Sequence, residues 1–167
     1  MNKLESIKIQ LDYCLNHAMK TLDKTIELIP DNKLDFKPPS KLDLQCFSEI
    51  AIHIYHLALI YSIGIRKGEV IKEDDKIIPF DSTKLFSGKD ITQYGKKVKQ
   101  YLRETLELIS EEDLDKEIKY NIWGDIKIDG FSSLASISEE VMHHRGQLCI
   151  YLRILGIKPP FIYDIGT

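Results

Sequence analysis

Between Leu4 and Ile29 the apolar residues Leu4, Ile7, Leu11, Leu15, Ala18, Leu22 and Ile29 recur mostly at steps of three and four, and no Gly or Pro interrupts them. That period lines one face of a helix and predicts a first long amphipathic helix, ended at Pro30. The stretch DNKLDFKPPSKLD that follows is charged and proline-rich, cannot continue the helix, and is expected to be a connection. A second helix is predicted from Leu44 to Lys67, with Asp43 as its N-cap and Gly68 as its stop; its stripe reads Cys46, Ile50, His53, Leu57, Ile60, Gly64. Residues 68–90 sustain no period and contain Pro79, Gly88 and several acids. A connection of that length suits a crossover between helices that run in the same direction.

A third helix is predicted from Asp90, its cap, to Ile109, carrying Ile91, Tyr94, Val98, Tyr101, Leu102, Thr105 and Leu108. The rhythm then changes to alternation: Ile118, Tyr120 and Ile122, the pair Gly124-Asp125, then Ile126 and Ile128, which is the pattern of a small β-hairpin. The fourth helix is predicted from Ser133 to Leu155, stopped by Gly156, with the stripe Ile137, Val141, His144, Leu148, Tyr151, Leu155. The expected fold is all-α: one domain over residues 1–167, a four-helix bundle with a hairpin between helices three and four. In that order helices two and four run antiparallel. His53 and His144, each placed in the first half of its helix, then meet only if the helices are offset along the axis.

Composition narrows the function. With 43% hydrophobic and 29% charged residues the chain is an ordinary globule. Its net charge of −3 intersperses 23 Lys and Arg with 26 acids, so there is no basic field for DNA or RNA. The most apolar stretch, Ile50 to Ile65, is broken by His53 and His56 and falls short of the ~20 residues that cross a bilayer, so no membrane span is expected. The N-terminus has early acids and no continuous apolar core, reads as the start of the fold, and points to a cytoplasmic protein. Cys14, Cys46 and Cys149 are an odd number without CxxC spacing and read as core or boundary residues rather than a disulfide framework or zinc knuckle.

The chemistry lies in the two histidines that interrupt apolar stripes, because a buried imidazole needs a partner for each ring nitrogen. Glu140 is one turn before His144, so the two side chains leave the helix on one face and can close on one ion. Two nitrogens and one carboxylate, with positions left for water or substrate, compose a catalytic rather than a structural metal site. Glu140 reads equally well as a solvent-facing acid in the first turns of its helix, where it opposes the dipole. Glu140 and His143 form an ExxH pair, but no second ExxH exists to build a di-iron centre. His143 and His56 are the candidate catalytic residues, and His17 reads as surface or boundary. Arg145 is a candidate for binding an acidic substrate group; its plainer role is a salt bridge to Glu139, to Glu49 or to a partner subunit.

The ending HHRGQLCIYLRILGIKPPFIYD, the earlier KLDFKPPS and the segment FSEIAIHIYHLALIYSIGIRKGE resemble the DinB/YfiT-type four-helix bundle proteins over nearly the whole chain. HHRGQ followed by YLRxLGxxPP is the most specific part. The resemblance implies an up-down-down-up bundle, often dimeric, that carries a divalent metal, frequently zinc or nickel, on three histidines; it implies no polymerase activity. The family's first metal histidine falls on His53, and the one just before Arg-Gly-Gln falls on His144. The remaining histidine, four residues before His144, is here Glu140, and a carboxylate can replace imidazole on zinc or nickel. The implied ligands are thus His53, Glu140 and His144, with iron or manganese as alternative ions. The implied function is a metal-dependent thiol S-transferase or hydrolase acting on a small molecule, the thiol being of low molecular weight. Its rival is a non-catalytic, stress-associated binding or dimer module with a structural or vestigial site. A homodimer is expected, from the family and from Leu152, Ile154, Ile157, Phe161 and Ile162 beyond what one helix face needs.

Overall fold

The first apolar stripe folds as a helix with a change of register inside it. In the computed structural model, which describes residues 1–85 and 87–161, α1 (Lys3–Tyr13) passes through a π-helical turn (Cys14–Ala18) into α2 (Met19–Glu27). The Asn2 side chain caps α1 by accepting the Glu5 N–H at 2.8 Å. The widened turn keeps Cys14 and Leu15 both inward, in line with Ile7, Leu11, Ala18 and Leu22.

α3 (Phe47–Lys67) begins three residues later than the expected Leu44. Cys46, not Asp43, is its N-cap, because the Glu49 carboxylate accepts the Cys46 N–H at 2.6 Å. Gly68, with φ at +78°, ends it as expected. At 21 residues α3 is long and apolar enough by composition to cross a membrane, longer than the apolar run suggested. Most of it is buried inside the protein, against α4 (Gly88–Leu108) and α6 (Gly130–Ile154), as a core helix requires. α4 starts before the expected Asp90: Ser87 is the cap, and Asp90 closes the box from the third helical position by accepting the Ser87 N–H at 2.7 Å. α1 and α2 complete the packing against α6 and α4.

The expectation of an all-α chain with a lone hairpin is corrected here: the fold is mostly helical with a small three-stranded sheet. β2 (Glu117–Tyr120) and β3 (Ile126–Asp129) form the expected antiparallel hairpin, with Ile118 opposite Ile128 and Tyr120 opposite Ile126. Ile122 belongs to the turn, a 3-10 helix at Asn121–Trp123 followed by Gly124 and Asp125 at positive φ. The third strand, β1 (Glu69–Val70), leaves α3 in extended form and pairs parallel with β2; the Gly68 carbonyl accepts the Lys119 N–H at 3.1 Å. The short helix α5 (Glu111–Asp115) precedes the hairpin.

Where α6 starts decides where its histidines fall. A Cβ at Gly130 would stand 2.2 Å from the Asp113 carbonyl oxygen, so glycine alone lets α6 begin against α5, three residues before Ser133. His144 therefore lies past the midpoint of α6, not in its first half. Ile65, near the end of α3, meets Gly130, while His53 meets His144. The two helices run antiparallel and need no offset. The apolar surplus expected of helix four divides: Leu152 is in the core, Ile157 is half-buried, Ile154 and Phe161 are exposed, and Ile162 lies outside the described residues.

Candidate metal centre

Seven residues from the start of α3 and fifteen from the start of α6, His53 and His144 face each other with ring centroids 5.0 Å apart and planes nearly perpendicular. Glu140 projects between them rather than to solvent. Its Oε2 is 3.0 Å from His144 Nε2 and 3.9 Å from His53 Nε2. One donor atom from each of the three residues lies within 4.8 Å of the others, so small side-chain movements bring all three to one ion, whose bonds to such ligands are about 2.1 Å long. All three side chains are partly buried, His144 the most, at 12% exposed.

The electrostatics suit a cation. Burial first, then the neighbouring His144, holds the His53 pKa below its ordinary value of 6.5; Glu140 opposes this and His56 adds to it. His53 is thus kept as the neutral imidazole a metal needs. His144 Nδ1 lies 2.7 Å from Gln147 Oε1, and Gln147 Nε2 lies 3.0 Å from His143 Nε2. With Nδ1–H donating to the amide oxygen, the neutral ring has only a lone pair at Nε2, and that lone pair faces the Glu140 carboxylate at 3.0 Å. Two electron-rich atoms that close require positive charge between them, supplied by a proton or a metal ion. The donor set, two imidazoles and one carboxylate, fits zinc or nickel.

The other sequence candidates scatter around this group. His56 lies one turn along α3 from His53, and its Nε2 is 3.6 Å from Asp75 Oδ1, ion-pair range but beyond a hydrogen bond. His143 is exposed, with its Nε2 engaged by Gln147 and its ring 4.8 Å from that of His144. Arg145 does not join the three: one residue past His144 the helix has turned about 100°, and its charge acts on Cys14 in the π turn. Burial pushes the Cys14 thiol up to about 11 against the pull of Ser138 and Arg145, which leaves it protonated near neutral pH. Glu49, offered as a partner for Arg145, is used in the α3 cap. His17 sits in the π turn with its ring 4.7 Å from that of Tyr13.

Sequence reading missed Gln147, Asp75 and Tyr61. Gln147 was within reach, being three residues after His144 and four after His143. Asp75 gives no local signal, since the crossover alone brings it to His56. Tyr61, two turns beyond His53, has its phenol pKa raised by burial, lowered by Ser136 and raised again by the charges of Glu140 and Glu139. Its ring meets Tyr120 and Trp123, each at 5.6 Å, and so forms an aromatic wall at one end of the group. At the other end a surface cavity of about 360 Å³ is lined by Leu44, Gln45, Ile50, Gln147, Ile150 and Tyr151, among others.

None of the curated proteins compared with the chain matches it. Among solved structures, a DinB-like protein from Bacillus subtilis, YjoA, superposes with a TM-score of 0.69 over 92% of this chain and 96% of its own, at 22% identity. A DinB-like protein from Bacillus cereus gives a TM-score of 0.69 over 95% and 97% of the two chains, at 19% identity. At such identities the likeness is one of fold. The decisive match is to the DinB family model, which runs from residue 5 to residue 166 and takes in both helices of the histidine pair, so that the chain belongs to the DinB family.

Proposed function

We propose that this DinB-like protein binds one divalent metal ion through His53, Glu140 and His144, and acts as a metal-dependent thiol S-transferase or hydrolase on a small molecule in the cytoplasm. The bundle in this reading is the family's up-down-down-up arrangement, with the sheet at one end. The observation that carries the reading is the 3.0 Å approach of the Glu140 carboxylate to a His144 nitrogen whose partner nitrogen is bonded to Gln147. That arrangement calls for a cation, and His53 supplies a third donor. When bound, zinc or nickel supplies Lewis acidity that makes a thiol or water nucleophilic near neutral pH.

The chain's own residues supply the rest. His56, with Asp75 beside it, takes the proton released by the nucleophile. The Tyr61–Trp123 wall excludes water from one side and seats the apolar part of the substrate. Arg145 is left out of substrate binding in this reading, because its charge acts on Cys14 in the π turn.

The test is metal analysis of the purified protein, followed by competition with a chelator for wild type, Glu140→Gln and Glu140→His. About one zinc or nickel per chain is expected. Removing the charge in Glu140→Gln should weaken binding by roughly 100-fold, at or beyond the 10–100-fold that changes around a ligand cost, while Glu140→His restores or strengthens it. Equal affinities for all three remove Glu140 from the site, and a metal-free protein of unchanged stability favours the non-catalytic binding module. Two copies are proposed to associate through the exposed apolar residues Ile150, Ile154 and Phe161. Sedimentation at tens of micromolar that finds only a 19.3 kDa species overturns the dimer.

A further inference from the structure

His143 and His144 are adjacent in sequence, yet the helix gives them different surroundings. His144 is turned in toward Glu140 and His53, while His143 is exposed on the flank of α6. Gln147 reaches both, because it is three residues from one and four from the other. Its Oε1 is 2.7 Å from His144 Nδ1, and its Nε2 is 3.0 Å from His143 Nε2. A neutral imidazole carries one N–H, and the nitrogen that holds it cannot bind a metal. Glu140 alone, 3.0 Å from His144 Nε2, draws that proton to Nε2 and so favours the tautomer that cannot coordinate.

We propose that Gln147, anchored by His143, is a positioning residue that holds His144 in its Nδ1–H tautomer and keeps Nε2 available to the ion. This rests on the metal reading above. The amide is suited to the task because it has two different ends. With His143 in its Nδ1–H form, its Nε2 accepts the amide N–H of Gln147, and the amide oxygen is then the end that faces His144. The oxygen accepts only from Nδ1–H. The preference is passed along α6 from an exposed imidazole to a partly buried one without His143 or Gln147 touching the ion. His143 therefore belongs to the site as the anchor of Gln147, not as a base directed at substrate.

The experiment uses zinc as the probe and the full chain labelled with nitrogen-15. Chelator competition on wild type, Gln147→Leu, Gln147→Glu and His143→Ala should show zinc binding weakened by roughly 10–100-fold in Gln147→Leu, the usual cost of losing a group that orients a metal-bound histidine. Gln147→Glu should return to within a few-fold of wild type, since a carboxylate also accepts from Nδ1–H. His143→Ala, at an exposed position, should fold normally and lose about tenfold, the lower end of the same range. Long-range proton–nitrogen spectra of the metal-free proteins should place the His144 proton on Nδ1 in wild type and on Nε2 in Gln147→Leu. A merely structural role would lower thermal stability without moving the proton and would not be rescued by Glu. Equal zinc affinity and one tautomer in wild type and Gln147→Leu overturn the role of Gln147 alone; a wild type that takes up no zinc overturns the metal reading on which it rests.

Discussion

Polar side chains flank α3 on both sides, and the two clusters are built in opposite ways. On the side facing α2 and α4, Tyr55 and Lys99 both donate to Asp23, and the Lys99 ammonium lies 5.9 Å from the centre of the Tyr55 ring. Tyr55 is fully buried, and burial together with the Asp23 charge raises its phenol so that it stays a donor. Gly95 admits the ring: a Cβ there would stand 2.4 Å from Tyr55 Cζ. On the side facing α6, one carboxylate, Glu140, confronts two imidazoles, and the nearer ring, that of His144, turns its other nitrogen, Nδ1, to Gln147 Oε1. The first cluster is complete within the protein, cation and anion matched. In the second, among the described residues, the carboxylate is paired with imidazoles alone. A satisfied buried cluster specifies the fold, whereas a carboxylate that faces only imidazoles is the place to look for a ligand.

The largest expected effect lies on the completed side. Lys99→Met keeps the side-chain length but leaves Asp23 with a hydroxyl as its partner in a mostly buried place, which should cost about 3 kcal/mol. For a chain of this size that is a fall in melting temperature of roughly 6–12 °C. Metal affinity should not change. A thermal melt equal to wild type would show that Asp23 and Lys99 do not hold α2 to α4, and the contrast between the two sides would fail.

Glu140→Gln should do the reverse. In metal-free protein its charge makes only partly exposed contacts with two histidines, so its removal should cost no more than about 1 kcal/mol. Added zinc should raise the melting temperature of wild type by mass action and leave that of Glu140→Gln nearly where it was. A large loss of stability in the metal-free variant would mean that Glu140 is a structural residue like Asp23.

What could be read in the amino-acid order follows a physical division. The helical stripes carried His53 and His144 to their places, because a core position on each of two packed helices leaves little freedom, and Glu140 followed from a four-residue step. The π turn at Cys14–Ala18 was invisible, since apolar steps of three and four absorb one extra residue without leaving the buried face. Strand β1 was missed because two residues cannot show alternation and its parallel partner lies about fifty residues away. The start of α3 was misplaced because Glu49 caps Cys46 from inside the helix, whereas Asp43 has the more usual capping side chain. Arg145 was offered as a substrate contact or a salt-bridge residue, a choice its place in the chain leaves open because 100° of helical rotation per residue separates its face from that of His144.

The smallest effect, and the one whose sign most directly probes the open side, is the response to acid. Burial and the nearby His144 hold the His53 pKa below the ordinary 6.5, so between 6.5 and its folded value the unfolded chain binds more protons than the folded one. The stability contributed by a neutral His53 is therefore complete above pH 6.5 and is lost as the pH falls through the folded pKa. Carboxylates held low by their partners respond in a separate window: Asp113, lowered to about 2 chiefly by Lys116, loses its contribution only below its ordinary value of 3.8. Protons also compete with the metal for both imidazoles, so the measurement belongs to chelator-treated protein. Its melting temperature should decline as the pH drops below 6.5, and His53→Gln, which has no proton to take up, should flatten that part of the profile. The change should be modest because His53 is still 37% exposed. An identical slope in the variant would assign the acid response to other groups and leave His53 without the burial that prepares it to meet a cation.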